Sequence, residues 1–439
     1  MGALDGHLKK DINIIDVVAI GVGATVGVSI FGIMQPAAKL AGPGMLISLA
    51  IAALPMVVFA VTYAFMGSTV PRSGASFDWP TKFIHPYVGF MVAWLRIVGN
   101  TGALTVYSTV LVQYASSVMK FPNNPTRFTL LAIFFVVNLV GVRIAAGVER
   151  VLVLFKILAF AVFVIAGFAF VHPSNFKPVL GSGWIGVLAA LPLLISLYSG
   201  IESATEVGEE IKNSTTVIAK GIAATVIISA LIYFGVSTVT LGVLGGSRLG
   251  ASNAPVLDAG REFLGRWNTP LILITAVAAI GTATNAVFLT FTRFLFAMGR
   301  DGVLPAAFAR IHPKWGTPYV ATIVVFICSV AGLFLPESLI FLFLATSIPI
   351  LLKYMSNSLA AARLIDNFPA LYERAQFKFS KPAMKAWAYG GVLCALAILI
   401  AGWSADWRPY GLLAAWAVLG TIYWYAHGKR MGGLQKDEW

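Results

Sequence analysis

The chain has 439 residues, of which 58% are hydrophobic and only 11% charged, with a formal net charge of +13 and a mean hydropathy of +0.85. Soluble domains carry about a quarter charged residues, so this composition excludes a soluble globular protein and indicates an integral membrane protein. The excess of positive charge needs no nucleic acid to explain it, because basic loops on the cytoplasmic face orient membrane proteins and touch anionic lipid.

Apolar runs of about 20 residues, each long enough to cross a bilayer, recur along the whole length. They predict an all-α membrane protein with 12 transmembrane helices at roughly 14–38, 45–67, 87–118, 127–148, 151–171, 185–207, 219–243, 271–298, 319–335, 339–362, 387–403 and 409–427. An even number of spans puts both termini on one side. With the N terminus cytoplasmic, most of the 31 Lys and Arg fall in cytoplasmic loops and tails, and seven (Lys120, Arg127, Lys177, Arg248, Arg261, Arg266, Arg408) fall outside. That bias predicts cytoplasmic N and C termini. The first span is too long for a signal-peptide core, so it is expected to stay uncleaved.

Span one carries the first unusual segment, Gly21-Val-Gly23-Ala-Thr-Val-Gly27-Val-Ser29-Ile-Phe31-Gly32. Glycines and hydroxyls stand where a plain spanning helix would have Leu, Ile and Val. Its G-x-G-x-x-x-G pattern follows no strand, so a dinucleotide site is excluded. Span six carries the second, Ser196-Leu-Tyr198-Ser-Gly200-Ile-Glu202-Ser-Ala-Thr205-Glu206-Val-Gly208. Small residues alone would also suit close helix packing. Two such breaks in corresponding halves, however, point to the midplane site of a transporter, since irregular backbone at membrane depth survives only where protein buries it or a cavity hydrates it. Backbone N–H groups around Gly27, Val28 and Ser29 would take a carboxylate, and carbonyls near Ala24, Thr25, Ser196 and Ser199 an ammonium. Gly200 and Ile201 complete the second break.

The longest cytoplasmic connection follows span ten rather than span six. It divides the chain into a transport core (1–362, with repeats of about 14–171 and 185–362), a cytoplasmic linker (363–386), two peripheral helices (387–427) and a cytoplasmic tail (428–439). Five spans per repeat invert the second half against the first. Cys328 and Cys394 lie inside spans and read as small buried hydrophobes. The five histidines, in loops or at span ends, have no metal-ligand spacing. Neither a metal, a cofactor nor a catalytic constellation is expected, so the chain does not read as an enzyme. A channel would need a polar stripe or charged rings that the spans lack.

Several motifs resemble those of the amino acid–polyamine–organocation (APC) permeases. Gly21 to Phe31 resembles the family's G-x-G-x-x-x-G-x-G-I-F, with Ser29 where glycine is usual. Tyr63-Ala-Phe-Met-Gly67-Ser-Thr-Val-Pro71-Arg-Ser-Gly74 is similar to Y-A-E-L-x-x-x-x-P-x-S/A-G, with Phe65 replacing glutamate. Glu-Glu-Ile-Lys212-Asn213 resembles E-E-x-K-N-P, with Ser214 for proline, and Arg293 to Pro305 through Tyr319 resembles the segment after span eight. The resemblance implies a LeuT-type 5+5 inverted repeat with discontinuous helices 1 and 6. It implies a permease for amino acids or related amines, working by alternating access as a proton symporter, with exchange (antiport) of amino acids, amines or polyamines as the alternative and a non-transporting sensor as a remote one.

Ionisable groups inside spans are functional candidates. Lys156 matches a V-x-x-x-x-K-I/L-L pattern that in resembling proton-coupled permeases places a lysine where other carriers hold sodium, so proton coupling is one role. A static amine holding the carbonyls of span one is the other. Glu202, in Gly200-Ile-Glu202-Ser-Ala, resembles the G-V-E-S-A of exchangers, where the glutamate couples or gates. Arg96 and Asn100 share one face of span three. Asn100 resembles a substrate-facing asparagine, while Arg96 would either pair with Glu202 or Glu206 or recognise a second anionic group. Tyr198 is a candidate lid. Thr282, Thr284 and Asn285 on span eight are candidate cavity residues. The substrate itself and the oligomeric state are not legible.

Overall fold

The computed structural model describes residues 13–71, 75–141, 146–201, 203–206, 211, 213–300 and 302–427. The described residues are helical, with no strand among them. Seven helical segments are long and apolar enough to cross a membrane by length and composition, and Gly183–Tyr198 and Tyr319–Gly332 are shorter apolar helices.

Helix α1 (Ile14–Thr25) starts at Asn13, whose side chain accepts hydrogen bonds from the Ile15 and Asp16 amides (2.8 and 3.2 Å). The Asp16 carboxylate accepts in return from the Asn13 amide at 3.1 Å, closing a capping box. The helix stops at Val26 (ψ 70°), and the chain resumes as α2 (Ser29–Gly32) and α3 (Met34–Ala41). Helix α4 (Met45–Thr69) is followed by the short α5 (Ala75–Phe83), and α6 (Pro86–Ser116) is opened by the His85 imidazole, which accepts from the Tyr87 amide at 3.1 Å. Helices α7 (Asn123–Val140) and α8 (Ala146–Phe168) correspond to the fourth and fifth expected spans. The fourth ends earlier than hydropathy suggests because Gly141 adopts a left-handed C-cap (φ 81°).

Helix α9 (Gly183–Ile195) runs through a short 3₁₀ turn to Tyr198, breaks, and resumes as α10 (Ser203–Glu206). Helix α11 (Ser214–Ala251) is interrupted at Gly245, and α12 (Pro255–Arg261) precedes α13 (Asn268–Arg300). Then come α14 (Tyr319–Gly332), α15 (Leu339–Asn367), α16 (Pro369–Arg374), α17 (Lys381–Trp403) and α18 (Arg408–His427).

Helices thus occupy every segment that hydropathy marks out, while α5, α12 and α16 are additions that are too short or too polar for that signal. The expected linker is largely structured. Helix α15 runs on to Asn367 and α17 begins at Lys381. Between them Tyr372 donates to the Phe379 carbonyl at 2.6 Å, and Lys378 and Lys381 lie 3.2 and 3.5 Å from the Glu373 carboxylate. The Lys378 ammonium, with Lys381 beside it, holds the exposed Glu373 carboxyl below the usual carboxylate range. Phe65, which departs from the motif it resembles, is buried against the Tyr372 ring.

One hydrophobic cluster runs through α1, α4, α9, α11 and α15, and a second joins α6, α13 and α14. Helix α18 is fixed to α6 by a reciprocal pair. Trp94 Nε1 donates to the Trp416 carbonyl at 2.8 Å, Trp416 Nε1 donates to the Trp94 carbonyl at 2.9 Å, and the indoles stack 4.9 Å apart.

Candidate functional site

The two broken segments touch. Gly200 has φ +112°, a conformation that L side chains rarely adopt, and a Cβ built on it would stand 2.8 Å from the Ala24 Cβ and 3.0 Å from the Ala24 carbonyl carbon. Glycine is therefore required at position 200 twice over, by dihedral and by contact. Gly21 and Gly27 serve packing instead. An added Cβ at Gly21 would collide with Thr225 of α11, and one at Gly27 would press on Ala283 of α13 at 3.2 Å.

A third residue ties the breaks together. The Tyr233 hydroxyl, on α11, lies 2.6 Å from both the Thr25 and the Leu197 carbonyls. It has one hydrogen to donate, so it serves one carbonyl at a time. Its ring meets Tyr198 edge-on at 5.4 Å. We expect Tyr233→Phe to leave the ring packing intact but strip the Leu197 carbonyl of its donor and leave the Thr25 carbonyl with the Gly27 amide alone. This should cost about 1–3 kcal/mol, read as a lower unfolding midpoint of the purified protein.

Around the contact lies a cavity of about 330 Å³. The broken helices contribute Gly23, Ala24, Ser29, Ser196, Ser199, Gly200 and Ser203; α6 contributes Arg96, Gly99, Asn100 and Tyr107; α8 contributes Lys156; α13 contributes Thr282 and Thr290; α15 contributes Phe343, Thr346 and Lys353. Ser29 Oγ donates to the Ser196 carbonyl at 3.4 Å, linking the restart of the first broken helix to the end of α9. Two buried polar atoms in the wall, Asn100 Nδ2 and Ser199 Oγ, have no hydrogen-bond partner among the described residues. Facing the cavity, these two atoms are available to hydrogen-bond a molecule that enters it. Beyond Tyr107 the route along α6 is closed. The Tyr114 hydroxyl donates to the Phe31 carbonyl (3.2 Å) and accepts from the Val256 amide (3.3 Å), and the Phe31 ring packs on those of Tyr114 and Phe160 (5.2 and 5.6 Å).

Of the residues singled out from the sequence, Ala24, Ser29, Asn100, Ser196, Ser199, Gly200, Lys156 and Arg96 meet in this cavity, as does Thr282. The other candidates among the described residues do not line it. Thr25 is buried with its hydroxyl turned back to the Gly21 carbonyl (2.5 Å), and its own carbonyl faces Tyr233. The Gly27 amide is committed to the Thr25 carbonyl at 2.9 Å, whereas the Val28 amide has no backbone acceptor among the described residues. Tyr198 and Ile201 are fully buried beneath the break. The position of an aromatic wall belongs instead to Tyr107 and Phe343. Thr284 bonds the Ile280 carbonyl of its own helix (2.7 Å). Asn285 accepts from Asn138 of α7 at 2.9 Å, so it joins α13 to α7. We expect Asn285→Ala to leave ligand affinity unchanged, measured by ligand-induced stabilisation. Glu202 and the side chain of Glu206 lie outside the described residues.

Tyr107, Tyr233 and Lys353 are absent from the sequence reading. Lys353 is the strongest omission. It is 4% exposed in the middle of α15, 5.0 Å from the Tyr354 ring, and an intramembrane charge by the same test that selects Lys156.

Residues 12–422 match the family model described as amino acid permease. The chain is 29% identical over 337 residues to the branched-chain amino acid permease BcaP of Bacillus subtilis, covering 72% of each chain. It is 28% identical over 334 residues to the methylthioribose transporter of the same organism (71% of this chain, 72% of that one). With the BcaP of Lactococcus lactis it shares 25% identity over 466 residues, covering 97% of this chain and 96% of the other. The chain belongs to the amino acid permease family of the APC superfamily. It is an integral, multi-pass membrane transport protein and not an enzyme.

Proposed function

We propose that the chain is a secondary active amino acid transporter with 12 membrane spans in a LeuT-type 5+5 inverted repeat. The helices α1–α3 and α9–α10 are its discontinuous helices 1 and 6, and α17 and α18 are its peripheral pair. The repeats are 14–171 and 185–362, and both termini are cytoplasmic in a bacterial inner membrane. The observation that carries this reading is the contact of two broken helices, Gly200 against Ala24, at a cavity of about 330 Å³ lined by unpartnered polar atoms.

The substrate carboxylate sits at the Val28–Ser29 restart and its ammonium near Ala24, Ser196 and Ser199, because both poles of a dehydrated zwitterion need partners. With cytoplasmic termini, the contacts of Tyr114 and Phe31 lie toward the outer side, which supports reading the conformation as inward-facing. Lys156, 1% exposed in the cavity wall, couples transport to protons, with Glu202 as the gating carboxylate.

Purified protein heated with a panel of α-amino acids and their decarboxylated amines tests this, since a ligand of the folded state raises stability by RT ln(1 + [L]/Kd). Stabilisation by α-amino acids and not by the matching amines is expected. Stabilisation by amines alone would replace this reading with an amine carrier, and binding without counterflow in proteoliposomes would replace it with a sensor. Uptake driven by an imposed pH gradient without internal substrate separates symport from exchange.

A further inference from the structure

The α6 wall of the cavity presents two donors in series. Asn100 Nδ2 is buried without a hydrogen-bond partner among the described residues. Arg96 lies four residues earlier, on the same helix face, and also lines the cavity. The one interaction described for its guanidinium is with the face of the Phe294 ring, 5.5 Å away. A cation–π contact of that kind uses none of the guanidinium's N–H groups as hydrogen-bond donors to a carboxylate, and leaves them available. Among the described residues no carboxylate pairs with Arg96. Lys156 and Lys353 share the cavity but have interactions of their own, Lys353 with the Tyr354 ring among them.

A guanidinium at membrane depth is costly unless it meets an anion or faces a wet cavity. Its fork matches a carboxylate in two parallel hydrogen bonds, a geometry that an ammonium cannot supply. The amide donor of Asn100, one helical turn away (about 6 Å between the two positions), extends the same strip. The strip belongs to a different wall from the broken helices that would hold the α-carboxylate and α-ammonium.

We propose that Arg96 and Asn100 form a second anion-binding point, so that the carrier takes amino acids whose side chain ends in a carboxylate. This rests on the reading of the cavity as an amino acid site. Arg96 and Asn100 determine specificity: they read the far end of the substrate and leave the handling of its zwitterionic head to the helix breaks.

The experiment compares L-aspartate and L-glutamate with their neutral near-isosteres L-asparagine and L-glutamine, and with L-leucine, as stabilising ligands of the intact purified protein. The concentration giving half-maximal stabilisation is the readout. The acids are expected to bind about 10- to 100-fold more tightly than their amides, the range that a charge-assisted pair supports. Arg96→Gln should erase that difference, and Arg96→Lys should retain part of it. Equal affinity for acids and amides in the unmodified protein overturns the proposal while leaving the amino acid reading intact, and it needs no variant to fold. Loss of acids, amides and leucine alike in a folded Arg96→Gln also overturns it. Failure of every amino acid to stabilise the unmodified protein would instead overturn the reading on which the proposal rests.

Discussion

Uptake by Lys156→Ala is expected to fall about 100-fold, the usual scale for removing a group that transfers a proton, and to lose its dependence on external pH. The side chain is buried in α8 but reaches the cavity wall that also holds Gly23 of α1. Of lysine and arginine, only lysine has a proton occupancy that follows its surroundings, because arginine stays charged at all accessible pH. Lys156→Arg therefore separates the two roles that the position allows. If the charge only holds the unwound carbonyls of the first broken helix, arginine should restore uptake together with its pH response. If the proton must leave and return during the cycle, arginine should bind substrate and fail to accumulate it against a gradient. Proteoliposome uptake between pH 5.5 and 8 distinguishes these cases. Undiminished, unchanged pH-dependent transport by the alanine variant would remove Lys156 from the mechanism altogether.

The second large effect is expected at Gly200→Ala. A residue with a side chain at φ +112° costs about 1–3 kcal/mol in backbone strain. The new methyl would also press on Ala24, and overpacking of this kind adds about 1–3 kcal/mol. The two costs fall on the place where both breaks meet, so we expect amino acid-induced stabilisation and uptake to disappear together. Gly183 supplies the control. Its φ is +66° and no atom lies within 4 Å of an added Cβ, so Gly183→Ala carries the strain without the collision. If the two alanine variants behave alike, contact between the breaks contributes nothing to transport.

Hydropathy made the helices legible because the bilayer imposes length and apolarity on each span separately. The two breaks were legible for a related reason: glycines and hydroxyls are conspicuous against Leu and Ile. What hydropathy cannot carry is which face of a helix meets which neighbour. Asn285 looked like a cavity residue because it is polar and close to Thr282, yet it occupies the flank of α13 turned to α7. Tyr233 stands in the apolar run Leu231-Ile-Tyr-Phe and reads as core. Its role depends on carbonyls 208 and 36 positions away in sequence, a separation that no local pattern encodes. Lys353, followed by Tyr354 near the middle of an apolar span, is outweighed by its neighbours in any averaged hydropathy. Helices α5, α12 and α16 fall below the length that a membrane demands, so the signal that finds the spans passes over them.

The crossed tryptophans between α6 and α18 bear on how such a carrier diversifies. Trp94 is two residues from Arg96 and six from Asn100, and it is pinned to α18 by two hydrogen bonds and a stacked ring. The α6 wall is thereby moored to α18, and not to the glycine joints of the two broken segments. If the cavity works as proposed, it has a stator and a rotor: a moored face that measures the cargo, and a jointed pair that moves it. Substitutions on the moored face should change what is carried while sparing how fast it moves, and substitutions at the joints should do the reverse. A lineage built on this plan can exchange one amino acid for another without rebuilding its engine.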